Sequence, residues 1–275
     1  MKPTIPFLET MITQVCNLSC EGCTNYSDLN HKGYVKWEDG KQDIAKWLNV
    51  VDIPDFGIMG GEPLINPEVY DWLYGIRELM PSSQLRFTTN GLLLHKHPDI
   101  MKTMLDIGNI VFKITAHTND SRTKLGIKNI FNQYKWEVVT EFGIARWKTD
   151  NNVRFQVNYP TTFTKSFQNA YEDMMPFHSV PIKAYDICCQ QTCPLLYNGK
   201  IYKCSTAGLL KDTLARFNNP NIDEWEDYID NGVSPTDDIV PFLNNFGKPS
   251  ALCGQCPTKE DTAYILDHLS TVTAK

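Results

Sequence analysis

The chain of 275 residues lacks any uninterrupted apolar run near the roughly 18 residues that a membrane-spanning helix requires. Its opening segment, Met1 to Met11, has a single lysine and no apolar core of the kind that directs secretion. Positive charge is in short supply: 26 Lys and Arg stand against 32 Asp and Glu, a net charge of −6. No global field therefore draws the chain to nucleic acid or to an anionic membrane. Internal repeats and low-complexity tracts are absent. On these grounds neither a membrane partner nor a nucleic-acid partner is expected, and the expected location is the cytoplasm. What is present, 42% hydrophobic and 11% aromatic residues, suffices to bury a full core.

Cysteine is missing from the whole middle of the chain. The nine cysteines fall at 16, 20 and 23, at 188, 189, 193 and 204, and at 253 and 256. A disulfide scaffold spreads its cysteines through a small secreted domain. An odd number gathered into clusters, in a chain expected in a reducing compartment, points to metal.

Between the cysteine groups, strand and helix signals alternate. Residues 7–14 read as a strand that continues into the first cysteine loop, 38–48 as a helix, and 56–59 as a short strand ending in Gly60-Gly61-Glu62-Pro63. Asn66-Pro67 opens a helix to about residue 80, proline being suited to the first helical position. Residues 85–89 and 110–115 read as strands around a helix at 98–107. A long helix is expected over 123–147, then strands at 153–158 and 182–187 with a helical stretch at 165–174 between them. About six β/α units imply parallel strands covered by helices, and an open (β/α)6 partial TIM barrel is the expected fold. After Cys188 the pattern changes. Residues 194–203 form a hairpin on an Asn198-Gly199 turn, 221–230 a short acidic helix and 258–269 a closing helix. Two domains are expected, 1–187 and 188–275.

Cys16-Asn-Leu-Ser-Cys20-Glu-Gly-Cys23 places three thiols within eight residues, directly after the first strand. Three thiolates can hold three irons of a [4Fe–4S] cluster and leave the fourth open, as catalytic metal sites do. A zinc knuckle completed by His31 or another residue is the competing reading. Gly60 and Gly61 lie at the carboxyl end of a parallel strand, where α/β ligand sites form, and Glu62 could accept a hydrogen bond from a ligand ammonium. Thr88-Thr89-Asn90-Gly91 and Thr115-Ala116-His117 end the next two strands and face the same mouth. His117 reads equally as a loop histidine and as a substrate contact.

The CxxxCxxC loop after the first strand, with GGEP after the second, resembles the radical S-adenosylmethionine (SAM) superfamily over residues 7 to about 187. The resemblance implies that Cys16, Cys20 and Cys23 hold a catalytic [4Fe–4S] cluster whose fourth iron chelates SAM. It implies that Gly60, Gly61 and Glu62 bind the methionyl amine, with Asn90 and Thr115 serving the carboxylate and ribose. Gly22 departs from the family, which usually has an aromatic residue before the third cysteine, so a different side chain is expected against the adenine.

In the last third, counting outward from the Asn198-Gly199 turn sets Cys193 opposite Cys204, close enough to share a metal, and Cys253-Gly-Gln-Cys256 adds a second clip. Four thiolates make a closed site, either an iron–sulfur cluster or zinc. The spacing of Cys189, Gly199, Cys204 and the late CxxC resembles the shortened auxiliary-cluster extension called a twitch domain, which implies one auxiliary [4Fe–4S] cluster. Hairpin geometry favours Cys193 as its first ligand and family spacing favours Cys189; Cys193 is chosen, and Cys188 is read as a supporting thiol. The expected function is hydrogen abstraction from a small molecule with a net two-electron oxidation, using SAM and an electron donor such as flavodoxin or ferredoxin. Modification of a peptide substrate is the alternative within enzymes. A non-catalytic zinc or electron-carrier protein is the alternative outside them.

Overall fold

The computed structural model describes residues 2–141 and 144–275. Strand β1 (Leu8–Met11) leads through β2 (Leu18–Cys20) to α1 (Trp37–Leu48). There follow β3 (Asp55–Met59), α2 (Val69–Leu79), β4 (Gln84–Thr89), α3 (Ile100–Ile107), β5 (Ile110–Thr115) and α4 (Ser121–Gln133). Then come β6 (Glu137–Glu141), β7 (Ile144–Thr149), β8 (Val153–Asn158), β9 (Thr162–Thr164) and α5 (Pro181–Asp186). The last third contains β10 (Leu195–Tyr197), β11 (Lys200–Tyr202), α6 (Ser205–Arg216), α7 (Val240–Asn244), β12 (Ile265–Asp267), α8 (His268–Thr271) and β13 (Val272–Ala274).

The fold is mixed α/β with a mostly parallel sheet. The nine-stranded sheet runs β11-β10-β1-β3-β4-β5-β8-β7-β6. Its six central strands, β10 to β8, are mutually parallel, with β11 antiparallel at one edge and β7 and β6 at the other. Side chains alternate across a strand, and here the two faces differ sharply. Leu8, Phe56, Phe87, Phe112 and Phe155 pack under α1–α4 in one apolar core. The opposite face carries Glu9, Arg86 and Arg154 in one cross-strand row and Thr88, Lys113 and Gln156 in the next. A polar inner face over an apolar outer one is the sheet's main contribution to a site.

Several elements differ from the expectations. The helix expected over 123–147 ends at Gln133, and the antiparallel pair β6–β7 follows; positions 142 and 143 lie outside the described residues. Val138-Val139-Thr140 is a β-branched run, and Glu141 draws Arg146 and Arg154 across the strands. Residues 182–187 are helical, because Pro181 at the first position preorganises α5. Residues 165–174 hold only a single 3-10 turn, at Tyr171–Asp173. The acidic 221–230 segment is a 3-10 helix, Ile222–Tyr228. The closing helix of 258–269 is replaced by short pairings that tie the tail back: β12 to β9 and β13 to β2. Nor does the sheet break at residue 187, since β10 hydrogen-bonds in parallel to β1 and makes the hairpin part of the main sheet.

Candidate active site

Cys16, Cys20 and Cys23 open onto one cavity of about 190 Å3 at the carboxyl ends of β3, β4 and β5. The loop holds its shape through backbone bonds, Cys23 N to Cys20 O (3.1 Å) and Tyr26 N to Cys23 O (2.9 Å). The tail braces it from outside, where Val272 of β13 pairs with Cys20. Burial pushes the Cys16 thiol up to about 12 and raises Cys20 and Cys23 as well. As free thiols they stay protonated at neutral pH, and a metal must displace those protons to bind.

Gly60 and Gly61 line the same cavity, and their lack of a side chain has a local cause. A Cβ on Gly61 would lie 2.5 Å from Val15 O, and one on Gly60 would lie 2.6 Å from Thr13 O. The glycines thus let this strand end close against the chain entering the cysteine loop, which Gly61 N to Thr13 O (2.8 Å) and Glu62 N to Val15 O (2.8 Å) complete. Glu62 differs from its expected role. Its carboxylate is fully buried, does not line the cavity, and accepts hydrogen bonds from Leu64 N (3.0 Å), Thr89 Oγ1 (2.7 Å) and Asn90 N (2.7 Å). Burial raises it to about 7. With its lone pairs turned inward, Glu62 couples the end of β3 to the end of β4.

Asn90 and Thr115 both reach the cavity. Asn90 Nδ2 donates to Asn17 Oδ1 (2.7 Å) and lies 3.9 Å from Cys16 Sγ. Two residues that sequence reasoning passed over, Asn25 and Phe163, join them, and a third, His268, backs the wall through His117 and Phe163. Asn25 Nδ2 donates to Gly60 O (3.3 Å) while its buried Oδ1 has no partner among the described residues. Phe163 lines this cavity and also the adjoining one that Gly22 lines. Gly22 itself has φ +75°, and a Cβ there would crowd Lys165 N at 3.2 Å. His268 comes from the tail: His117 Nδ1 lies 2.8 Å from His268 Nε2, and the His268 ring stacks on Phe163. No local signal marked His268, because its placement depends on three-residue pairings with strands more than 100 positions away.

The C-terminal cysteines meet in a different combination from the one expected. Cys188, Cys204, Cys253 and Cys256 line one small cavity of about 30 Å3. Cys188 follows α5, Cys204 caps the start of α6, and Cys253 and Cys256 flank the end of the 3-10 helix Ala251–Gln255. Cys193 does not sit beside Cys204, because β10 begins only at Leu195 and Cys193 N turns back to Gln190 O (3.3 Å). Cys189 and Cys193 instead lie near Glu9 and Lys113 on the inner face of the sheet. All nine cysteines are free thiols. Four thiolates on one zinc, at about 2.3 Å each, would stand roughly 3.8 Å apart. Among the described residues, the one set of three ligand atoms mutually within 4.8 Å is that of Cys20, His117 and His268. Neither cysteine group is therefore drawn in as tightly as a single ion requires.

Residues 10–143 match the Radical SAM superfamily. Among curated proteins the chain is similar to the GTP 3',8-cyclase of Clostridium acetobutylicum, 34% identical over 135 residues, 47% of this chain and 40% of that protein. It is also similar to the GTP 3',8-cyclase of Trichodesmium erythraeum, 29% identical over 142 residues, 50% of this chain and 42% of that one. The chain thus spans about two fifths of these curated relatives. Among solved structures it is similar in fold to BtrN in complex with AdoMet and 2-DOIA, with a TM-score of 0.51 over 97% of this chain and 100% of that one, at 15% identity. No helix of the described residues is long and apolar enough to cross a membrane.

Proposed function

We propose, from the match of residues 10–143 to the Radical SAM superfamily, which implies a [4Fe–4S] cluster and SAM, that this chain cleaves SAM reductively and abstracts hydrogen from a small-molecule substrate. The observation that carries this reading is the convergence of Cys16, Cys20 and Cys23 with Gly60, Gly61, Asn90 and Thr115 on one cavity. When bound, the cluster supplies the electron that breaks the sulfonium bond of SAM and yields the 5'-deoxyadenosyl radical. Cys16, Cys20 and Cys23 hold three irons; Asn25 Oδ1, unpartnered and buried, accepts from a hydroxyl or ammonium of SAM; Phe163 offers its ring to the adenine. Glu62 acts from behind, keeping the glycine pair and Asn90 in mutual register. The open, mostly parallel sheet is read as the partial barrel of this family, and the hairpin and following residues as its twitch-like extension.

Cys188, Cys204, Cys253 and Cys256 are the proposed ligands of one auxiliary [4Fe–4S] cluster. Four thiols around one cavity suit a closed site of either kind, and the twitch-like spacing of the last third favours the cluster. Four protein ligands would leave no open iron, so a cluster held there would supply an electron acceptor: the substrate would lose one hydrogen atom to the 5'-deoxyadenosyl radical, then one electron to that acceptor and one proton to solvent, a two-electron oxidation. Flavodoxin or ferredoxin is the proposed electron donor. A second reading, ring closure of a nucleotide, is favoured by the names of the relatives; there the substrate would keep its mass and would not lose two hydrogens. Incubation of the reconstituted protein with SAM and dithionite should release 5'-deoxyadenosine. Its absence from a preparation with full iron content would refute the central reading. With a substrate in hand, loss of two mass units separates oxidation from cyclisation.

A further inference from the structure

A second cavity, of about 720 Å3, opens beside the cysteine cavity and shares Thr24, Thr115 and Phe163 with it. Its size suits a whole small molecule. One wall is the polar inner face of the sheet, from which Lys113 of β5 and Asn158 of β8 reach it; Cys189 closes the other side. The arginines of that face each have a carboxylate partner: Arg86 is held by Asp55, and Arg146 and Arg154 share Glu141. Lys113 has no salt-bridge or hydrogen-bond partner among the described residues. Burial raises the Glu9 carboxyl nearby to about 8 and lowers Lys113, and the two side chains make no salt bridge, so an anion entering the cavity meets a lysine that is not already paired. Asn158 Oδ1 is taken by Gln156 Nε2 (2.7 Å), which leaves its amide NH2 free to donate.

An unmatched ammonium beside a free amide donor is a receptor for an anionic oxygen group. We propose that the substrate carries a carboxylate or phosphate group that docks on Lys113 and Asn158 in this cavity. The word substrate rests on the radical SAM reading of the neighbouring cavity; the anion site does not.

The test uses the full chain, reconstituted anaerobically with iron, sulfide and SAM. Lysines are acetylated with a water-soluble succinimidyl ester, and labelling of Lys113 is read by peptide mass spectrometry against exposed Lys128 in the same digest. Saturating pyrophosphate or malonate is expected to slow labelling of Lys113 about tenfold relative to Lys128, while neutral glycerol leaves the ratio unchanged. Protection by pyrophosphate alone assigns a phosphate, and protection by malonate alone a carboxylate. Asn158→Ala should raise the concentration needed for protection by roughly tenfold or more, the loss of one charge-assisted hydrogen bond, and Asn158→Asp should abolish protection. Failure of Lys113 to label without anion, equal protection by glycerol, or no protection by either anion would overturn the proposal. Formation of 5'-deoxyadenosine is assayed on the same preparation. Its presence without anion protection removes only the anion site, and anion protection without it removes only the radical reading.

Discussion

The N-terminal three cysteines open onto about 190 Å3 of space bordered by a glycine pair and polar strand ends, whereas the C-terminal four surround about 30 Å3. In both groups burial raises thiols, Cys16 and Cys204 to about 12 and Cys188 to about 11. The ligand chemistry is the same, and the enclosure is not. Three thiols with free volume leave a coordination position and room for a second molecule; four thiols around little volume leave neither. Under the proposed function, the contrast assigns substrate chemistry to the first group and leaves the second to hold structure or move an electron.

Replacing Cys16, Cys20 and Cys23 together with Ala should produce the largest effect. Formation of 5'-deoxyadenosine is expected to vanish, while iron falls from about eight to about four per chain as the C-terminal cluster stays. Any residual SAM cleavage would erase the contrast between the groups. Next in size is a ligand test at the second group. Cys188→Ala should lower iron to about four, and Cys193→Ala should leave about eight; iron analysis with the visible spectrum reads both, and the reverse result would restore the hairpin pairing of Cys193 with Cys204.

Glu62→Ala sharpens the description of the first group. It strands the N–H groups of Leu64 and Asn90 in a buried setting, at a cost of about 1–3 kcal/mol in stability, to be measured by denaturant melts. A fall in SAM affinity with unchanged stability would instead return Glu62 to direct contact with the ligand.

The smallest effect expected is on the metal-free protein. In the folded chain burial raises Cys16 to about 12 and Cys188 to about 11, above the roughly 8.5 of an exposed cysteine. The stability linked to their protonated form is therefore intact below about pH 8.5 and lost as pH rises through their folded range. Melting temperature should drop by a few degrees between pH 9 and 11, and iron incorporation should improve over the same direction because binding releases protons. A flat melting profile would mean that the thiols are solvated and that neither group is preformed.

Much of this was legible before the structure. Strands 56–59, 85–89, 110–115 and 153–158 and helices 38–48 and 98–107 announced themselves through apolar periodicity and Gly, Pro and Asn punctuation, and each exists within a few residues. The Asn198-Gly199 turn is present with φ of 47° and 74°, and the hairpin register counted from it holds through Leu195 and Tyr202. Two of the misreadings share a cause. In 123–147 and 258–269, short apolar runs fit strand and helix periods about equally, and distant partners decided between them: Arg146 and Arg154 for β6–β7, β9 for β12. In 182–187 the deciding cue was local, Pro181 at the first helical position.

Sequence alone determined the chemistry available to this protein, because that chemistry is written in short spacings: three thiols within eight residues, a glycine pair at a strand end, a late CxxC. Only the tertiary structure decided which groups meet. Cys188 joins Cys204 because α5 is a helix and the chain turns at residues 189–193. Glu62 turns inward because Thr89 and Asn90 of the neighbouring strand end fall within hydrogen-bonding reach. Lys113 faces the second cavity because the register of β5 puts Phe112 and Ile114 under the helices. Such outcomes depend on contacts between residues far apart in the chain, and in a β-strand a shift of one position would send every side chain to the other face.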